Sequence, residues 1–297
     1  MLGRVAGRTL RSAHAGASVP PSALRLAADF FRLSGAVPLL APPSQAVPLP
    51  MRRSPGPAQA SPVARDETAC LLAIILGLLS VGETRIGHAP QCDGAQAMAE
   101  ACRKLGAAIE RAGDQSWHVH GVGVGGLLSP EGGLDFGGSL AGAVLLMGVV
   151  ASHGVTAGFD GDPALRACAM MPALAPLMRM GAEIVASAEG VRLPLTLRGA
   201  MDAVPVLWRV PDGGPSSPVT PDLVASAVLL AGLNAPGETT VVAPQEAGGE
   251  AVRLLRLFGA DVATSPEGGG RRIVLQGRPT LRPAIVTLPA ETPPASC

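Results

Sequence analysis

From residue 66 onward, two hydrophobic patterns take turns along the chain. Runs such as Leu71–Leu79 and Ala225–Leu233 are apolar on nearly every face. That is the pattern of a helix buried all round. Between them lie short alternating segments and amphipathic stretches, each closed by glycine. The alternating segments read as strands, the amphipathic ones as helices with one wet face.

The order of these elements repeats. LLAIILGLLSVGETRIGHAPQCDGAQAMAEACRKLGAAIERAGDQSWHVHG and AVLLAGLNAPGETTVVAPQEAGGEAVRLLRLFGADVATSPEGGGRRIVLQG share one plan. Each runs from an apolar helix through a GET strand, a loop and an amphipathic helix to a (L/F)GA turn. Two strands follow, the second ending in glycine. A middle copy, AVLLMGVVASHGVTAGFDGDPALRACAMMPALAPLMRMGAEIVASAEGVRLPLTLRG, keeps the same order. Gly82, Gly154 and Gly237 open the first strand of each copy, and Gly106, Gly181 and Gly259 end the second helix. Glycine just past a helix is the residue that takes the left-handed turn there. A period of about 75 residues is too long for a solenoid and suits a supersecondary unit repeated inside one domain. The expected fold is therefore α/β (α+β), three βαβαββ repeats around buried helices, with repeats at about 65–125, 126–200 and 201–280.

Residues 1–64 have another character. Residues 36–64, AVPLLAPPSQAVPLPMRRSPGPAQASPVA, carry proline at a density that sustains neither helix nor sheet. This Pro/Ala/Arg-rich stretch is expected to be a disordered extension, with one short helix near Ser22–Leu33. Its first 35 residues are rich in arginine and serine and poor in acids, which is also transit-peptide composition. Residues 290–297 read as a tail beyond the lobe.

Charge sharpens the division. The formal net charge is zero, yet residues 1–65 hold eight arginines and one acid, Asp29, while the remainder carries the balancing excess of acids. A net-acidic folded part argues against nucleic acid as a partner. Aromatics make up 2% of the chain and tyrosine is absent, so the core must be aliphatic and stacking platforms are not expected. No run reaches the roughly 18 apolar residues of a membrane span. Five cysteines, Cys70, Cys92, Cys102, Cys168 and Cys297, form no CxxC pair or zinc spacing, which points to reduced thiols and a cytoplasmic setting.

Most candidate motifs have plain structural readings. Gly121-x-Gly123-x-x-Gly126 has dinucleotide spacing but is followed by LLSPEGG instead of the helix whose N-terminus would hold a pyrophosphate. His118 and His120 share a strand face without a third ligand nearby in sequence. Ser139 in GGSLAG lacks the following glycine of a nucleophile elbow. Asp66, Glu67 and Asp162 stand where acids cap helices. Neither metal nor cofactor is expected.

The words VGETRI, LDFG, LLMGVVASH, GD-x-x-LR, RLPLTLRGA, SAVLLAGLNAPGETTV, LLRLFGA and GGGRRI, in this order, resemble the N-terminal lobe of 5-enolpyruvylshikimate-3-phosphate (EPSP) synthases, from about Asp66 to about Pro289. The resemblance implies an enolpyruvyl transferase-like lobe and a shikimate-pathway transferase activity. That activity joins phosphoenolpyruvate to shikimate 3-phosphate, both anions held by clustered Lys and Arg. The chain departs from the family where those cations would stand. Arg65-Asp66-Glu67-Thr68, followed at the next motif position by Leu72, takes the place of the family's Gly-Asp-Lys-Ser-x-x-x-Arg. Ser139-Leu140-Ala141-Gly142-Ala143-Val144 takes the place of a Gly-Thr motif ending in arginine. Six cations are thereby replaced, at Glu67, Leu72, Val144, Cys168, Ala225 and Gly248. Thr68 and Ser139 are the hydroxyls that survive at substrate-binding positions, and no catalytic residue is assigned.

The resemblance thus implies a truncated, catalytically inactive homologue, because the sequence also stops at Cys297, near where the family crosses into its second lobe. Two alternatives stay open. One is half of a split enolpyruvyl transferase. The other is a non-enzymatic module whose protein partner docks on the face that would meet the second lobe.

Overall fold

The structure, a computed structural model, describes residues 62–89, 92–112, 116–213 and 217–288, with the backbone alone for 62–66. The extension and the tail expected from sequence lie otherwise outside the described residues. Helix α1 spans Pro62–Leu78 and so begins inside the stretch read as extension. Proline is well accommodated at the first helical position, where its missing N–H costs nothing.

Three helices form the interior: α1, α3 (Leu140–Ala151) and α6 (Pro221–Gly232). The described stretches Cys70–Leu76 of α1, Ala143–Met147 of α3 and Ala227–Ala231 of α6 are wholly screened from water. This is the all-round burial that their sequence pattern called for, built almost entirely from Leu, Ile, Val, Ala and Met. Gly148 of α3 packs directly on the backbone of Ala227 of α6, a closeness a side chain would forbid.

Around them stand three four-stranded sheets of one design. In the first, β12 (Ile285–Thr287), β1 (Val81–Gly87), β3 (Trp117–Val122) and β2 (Ala108–Arg111) lie side by side in that order. The second runs β4 (Gly133–Asp135), β5 (Thr156–Asp160), β7 (Arg192–Arg198), β6 (Glu183–Ala188). The third runs β8 (Leu207–Arg209), β9 (Glu238–Ala243), β11 (Gly270–Gln276), β10 (Val262–Glu267). In each, the short edge strand pairs parallel with its neighbour and the other pairings are antiparallel. The outer helices are α2 (Asp93–Lys104), α4 (Pro163–Arg166) with α5 (Met171–Arg179), and α7 (Gly249–Leu257). Two units therefore read βαβαββ without a break, while the first takes its opening strand from residues 285–287.

The glycines that mark the repeat have defined tasks. Gly106, Gly181 and Gly259 follow α2, α5 and α7 with φ of 111°, 107° and 88°, the left-handed C-terminal turn expected from sequence. Gly121, Gly199 and Gly277 close the last strand of each unit. They lie against the final carbonyls of the inner helices: Gly77 and Ser80, Val150 and His153, and Gly232 and Ala235. Among the described residues no helix is long and apolar enough to cross a membrane.

Candidate functional site

The inner helices run in the same direction. Their C-terminal ends are tied together around one loop. Gly123 N–H donates to Leu78 O of α1 at 3.3 Å, Gly125 N–H donates to Nε2 of His153 beyond α3 at 3.1 Å, and Asn234 beyond α6 donates through Nδ2 to Ser152 O at 2.5 Å. Their N-terminal ends accordingly gather at the opposite end. Aligned peptide dipoles and unpaired N–H groups make such a place attractive to anions.

What lines this end is acidic. Ser139 caps α3, its Oγ accepting from Gly142 N–H at 3.2 Å and facing Oε1 of Glu67 on α1 at 3.5 Å. The same Glu67 oxygen lies on Gly94 in the first turn of α2, leaving no room for a Cβ there. Asp162 caps α4 by accepting from Leu165 N–H at 2.7 Å. Asp222, in the first turn of α6, accepts from Gly248 N–H at the start of α7, also at 2.7 Å. Asp93 and Glu250 occupy the first turns of α2 and α7. Cations stand close by as well: Arg253 pairs with Glu250, Nε to Oε1 at 3.1 Å, and Arg271 donates through Nε and a terminal nitrogen to Ala247 O, just before α7. Burial lowers its pKa, against the pull of Glu246 and Asp222. An open cleft of about 360 Å³ between α2 and β4 continues the surface, lined by Asp93, Gln96, Glu100, Lys104 and Asp135 among others.

Of the two hydroxyls expected at substrate-binding positions, Ser139 is a helix cap facing a carboxylate. Thr68 follows Glu67 on α1 and is half-buried. Of the six positions read as replaced cations, Leu72, Val144 and Ala225 are fully buried in the core, and Glu67 and Gly248 are engaged as described. Cys168, part exposed, donates its thiol to Ala164 O of its own turn at 3.5 Å and packs against the core. Burial, reinforced by Cys92 and Glu67, pushes the Cys70 thiol up to about 12, and burial likewise raises Cys92, which disfavours the thiolate form of both.

The other sequence candidates fall elsewhere. Gly121, Gly123 and Gly126 form a tight turn under the inner helices' C-terminal ends, the wrong pole for a phosphate. His118 spends Nδ1 on Glu83 at 2.7 Å on the outer face of the first sheet. With Arg85 first and His118 second among its partners, Glu83 is lowered to about 2.

The meeting of Glu67 with Ser139 joins residues 72 apart, and no local signal announced it. A sequence signal for the Asp222 contact did exist. Glu67 stands 15 residues before Gly82, and Asp222 15 before Gly237, so the two acids hold the same place in the first and third units.

The comparisons agree with this architecture. The family model described as EPSP synthase (3-phosphoshikimate 1-carboxyvinyltransferase) matches residues 63–289. Among curated relatives, the 3-phosphoshikimate 1-carboxyvinyltransferase of Methylobacterium sp. (strain 4-46) is 49% identical over 229 residues, covering 76% of this chain and 49% of that protein. The protein of the same name from Bradyrhizobium sp. (strain BTAi1 / ATCC BAA-1182) is 47% identical over 249 residues, covering 83% and 54%. The chain thus spans about half the length of the curated relatives it matches. Of solved structures, EPSP synthase from Acinetobacter baumannii superposes with a TM-score of 0.67 at 29% identity, covering 75% of this chain and 48% of that one. The enolpyruvyl transferase NikO from Streptomyces tendae, at 22% identity and a TM-score of 0.53, shares the fold. With the repeat, the sheets and these matches together, the chain belongs to the EPSP synthase family.

Proposed function

We propose that this chain is a non-catalytic EPSP synthase lobe, keeping the scaffold of a shikimate-pathway transferase without enolpyruvyl transfer. The observation that carries this reading is the charge at the N-terminal end of the inner helices. Shikimate 3-phosphate and phosphoenolpyruvate are both anions. Here they would meet Glu67, Asp93, Asp162 and Asp222, with Arg253 paired to Glu250 and Arg271 turned to a backbone carbonyl. Removing one group that stabilises charge in a transition state costs about 3–4 kcal/mol, so several such losses abolish turnover. The core is intact while the site is not, as expected where a fold is retained for another use.

That use, in this reading, is contact with another protein through the face that meets the second half of a full-length relative. A cytoplasmic setting fits the four described cysteines, which are all free thiols. Titration calorimetry of the full chain with shikimate 3-phosphate tests the proposal. No heat of binding is expected up to millimolar ligand, and micromolar affinity would sink it. If the chain is instead half of a split transferase, adding the complementary half restores phosphate release from phosphoenolpyruvate.

A further inference from the structure

We infer that His118 and His120, with Glu83 behind them, form a surface binding site for an imidazole-seeking divalent cation: nickel(II), zinc(II) or copper(II). The place is the outer face of the first sheet, and the site stands whether or not the chain transfers enolpyruvyl groups. Three observations meet. First, the two histidines alternate along β3 with the buried Trp117 and Val119, so both rings stand on the solvent side of the sheet. Residues two apart on a strand are about 7 Å apart. Two imidazoles leaning together span that distance around one ion, with metal–nitrogen bonds of about 2.0–2.1 Å. Second, His118 is already oriented. Its Nδ1 lies 2.7 Å from Glu83 Oε1. Glu83 is ionised, held down to about 2 by Arg85 first and His118 second. Its oxygen can therefore only accept, and Nδ1 carries the proton. In the neutral ring Nε2 then keeps its lone pair, which is the tautomer a metal needs. A carboxylate behind a ligating histidine is the usual device that fixes such a ring.

Third, the neighbours supply room and charge. His120 stands opposite Glu83 on β1 and the small Ala108 on β2, and His118 stands opposite Arg85 and Glu110. Arg85 donates from Nε and a terminal nitrogen to the two Glu83 oxygens at 3.2 and 3.1 Å. Its charge is thereby offset, and Glu110, exposed on the same face, leaves the patch net negative. Among the described residues no group of three or more His, Cys, Asp or Glu side chains converges on a metal position. The protein accordingly offers two ligands, and water completes the shell. Imidazole donors suit zinc, copper and nickel, whereas magnesium and calcium take oxygen ligands. Copper(II) stands highest in the general order of affinities.

The test is retention of the untagged full chain on chelated nickel(II), eluted with imidazole at a pH above the ordinary histidine value of about 6.5. Calorimetric titrations with zinc(II) and magnesium(II) accompany it. Wild type is expected to be retained and to bind zinc(II) but not magnesium(II). His118→Ala and His120→Ala should each elute earlier, and the double variant should pass through unretained. The control, His14→Asn with His88→Asn, is expected to elute with wild type. Glu83→Gln keeps an acceptor for Nδ1 but loses the charge, and should weaken zinc(II) binding about tenfold. Should the double alanine variant fail to fold by circular dichroism, His118→Gln with His120→Gln takes its place with the same expected loss. The inference is overturned if wild type is not retained, or if a folded double variant is retained as wild type is. It is equally overturned if zinc(II) binding survives in that variant, which would assign the metal to the thiols. None of these outcomes bears on the non-catalytic reading, which tight binding of shikimate 3-phosphate alone would end.

Discussion

Replacing Gly199 by alanine tests how the units are locked to the inner helices. A Cβ at Gly199 would lie 1.9 Å from Val150 O and 2.0 Å from His153 O. Carbon and carbonyl oxygen ordinarily approach no closer than about 3.2 Å, consistent with the spacing of weak C–H···O contacts. Something must therefore give by more than an ångström. Both oxygens belong to backbone at the end of α3, which cannot swing aside as a side chain can. Overpacking of a filled interior costs about 1–3 kcal/mol. The displacement also strains two hydrogen bonds, Gly199 N–H to Val155 O and Ala200 N–H to Ala151 O, both 2.9 Å, each worth about 1 kcal/mol. The expected loss is thus about 3–5 kcal/mol, a large part of a domain's stability of about 5–15 kcal/mol. Urea unfolding followed by far-ultraviolet circular dichroism measures it. Gly158→Ala is the control, because its Cβ would meet nothing closer than 3.8 Å; that variant should be neutral or slightly stabilised. A Gly199→Ala midpoint within 1 kcal/mol of wild type, at unchanged slope, would show that the contact is not a lock. The equivalent changes at Gly121 and Gly277 should behave alike.

Two further outcomes are expected. His153 donates Nδ1–H to Val149 O at 2.7 Å and accepts Gly125 N–H on Nε2, so it is neutral, and burial lowers its pKa below 6.5. The unfolded chain therefore binds the extra proton first, and stability falls as pH drops below 6.5 toward the folded value, by at most about 1.4 kcal/mol per pH unit. His153→Gln should remove that part of the slope, and parallel urea midpoints for the two proteins between pH 7 and 5 would contradict the assignment. Asp162→Ala should cost about 1 kcal/mol through the lost cap on Leu165 N–H, while Asp162→Asn should cost a few tenths, both read from the same unfolding curves.

The repeat, the buried helices and the glycine turns were legible because each rests on local chemistry: all-round apolarity, amphipathic spacing, a left-handed turn. The start of α1 was hidden by the proline-rich composition before it, since Pro62 reads as a breaker unless it is placed at the first turn. The edge strands β4, β8 and β12 span only three residues each. Their pairing is set by neighbours far off in sequence, so no periodicity reveals them. At the site, the positions read as replaced cations come from motif order alone, whereas the corner where Glu67, Gly94 and Ser139 meet is made by tertiary packing. The burial of Leu72, Val144 and Ala225 likewise follows from the threefold pooling of helices, which fixes what those positions face.

Strand β12 gives the molecule an order of assembly. Ile285 pairs with Arg85, and Ala284 N–H reaches Thr84 Oγ1 across 200 residues. On the ribosome, the first unit emerges early but waits for the whole of the other two before its outer strand arrives. Until then β1 presents an open parallel edge, the kind of surface that recruits other chains. Translation pauses or truncations before residue 285 should therefore favour aggregation over folding, and a chaperone that shields β1 would act in that interval.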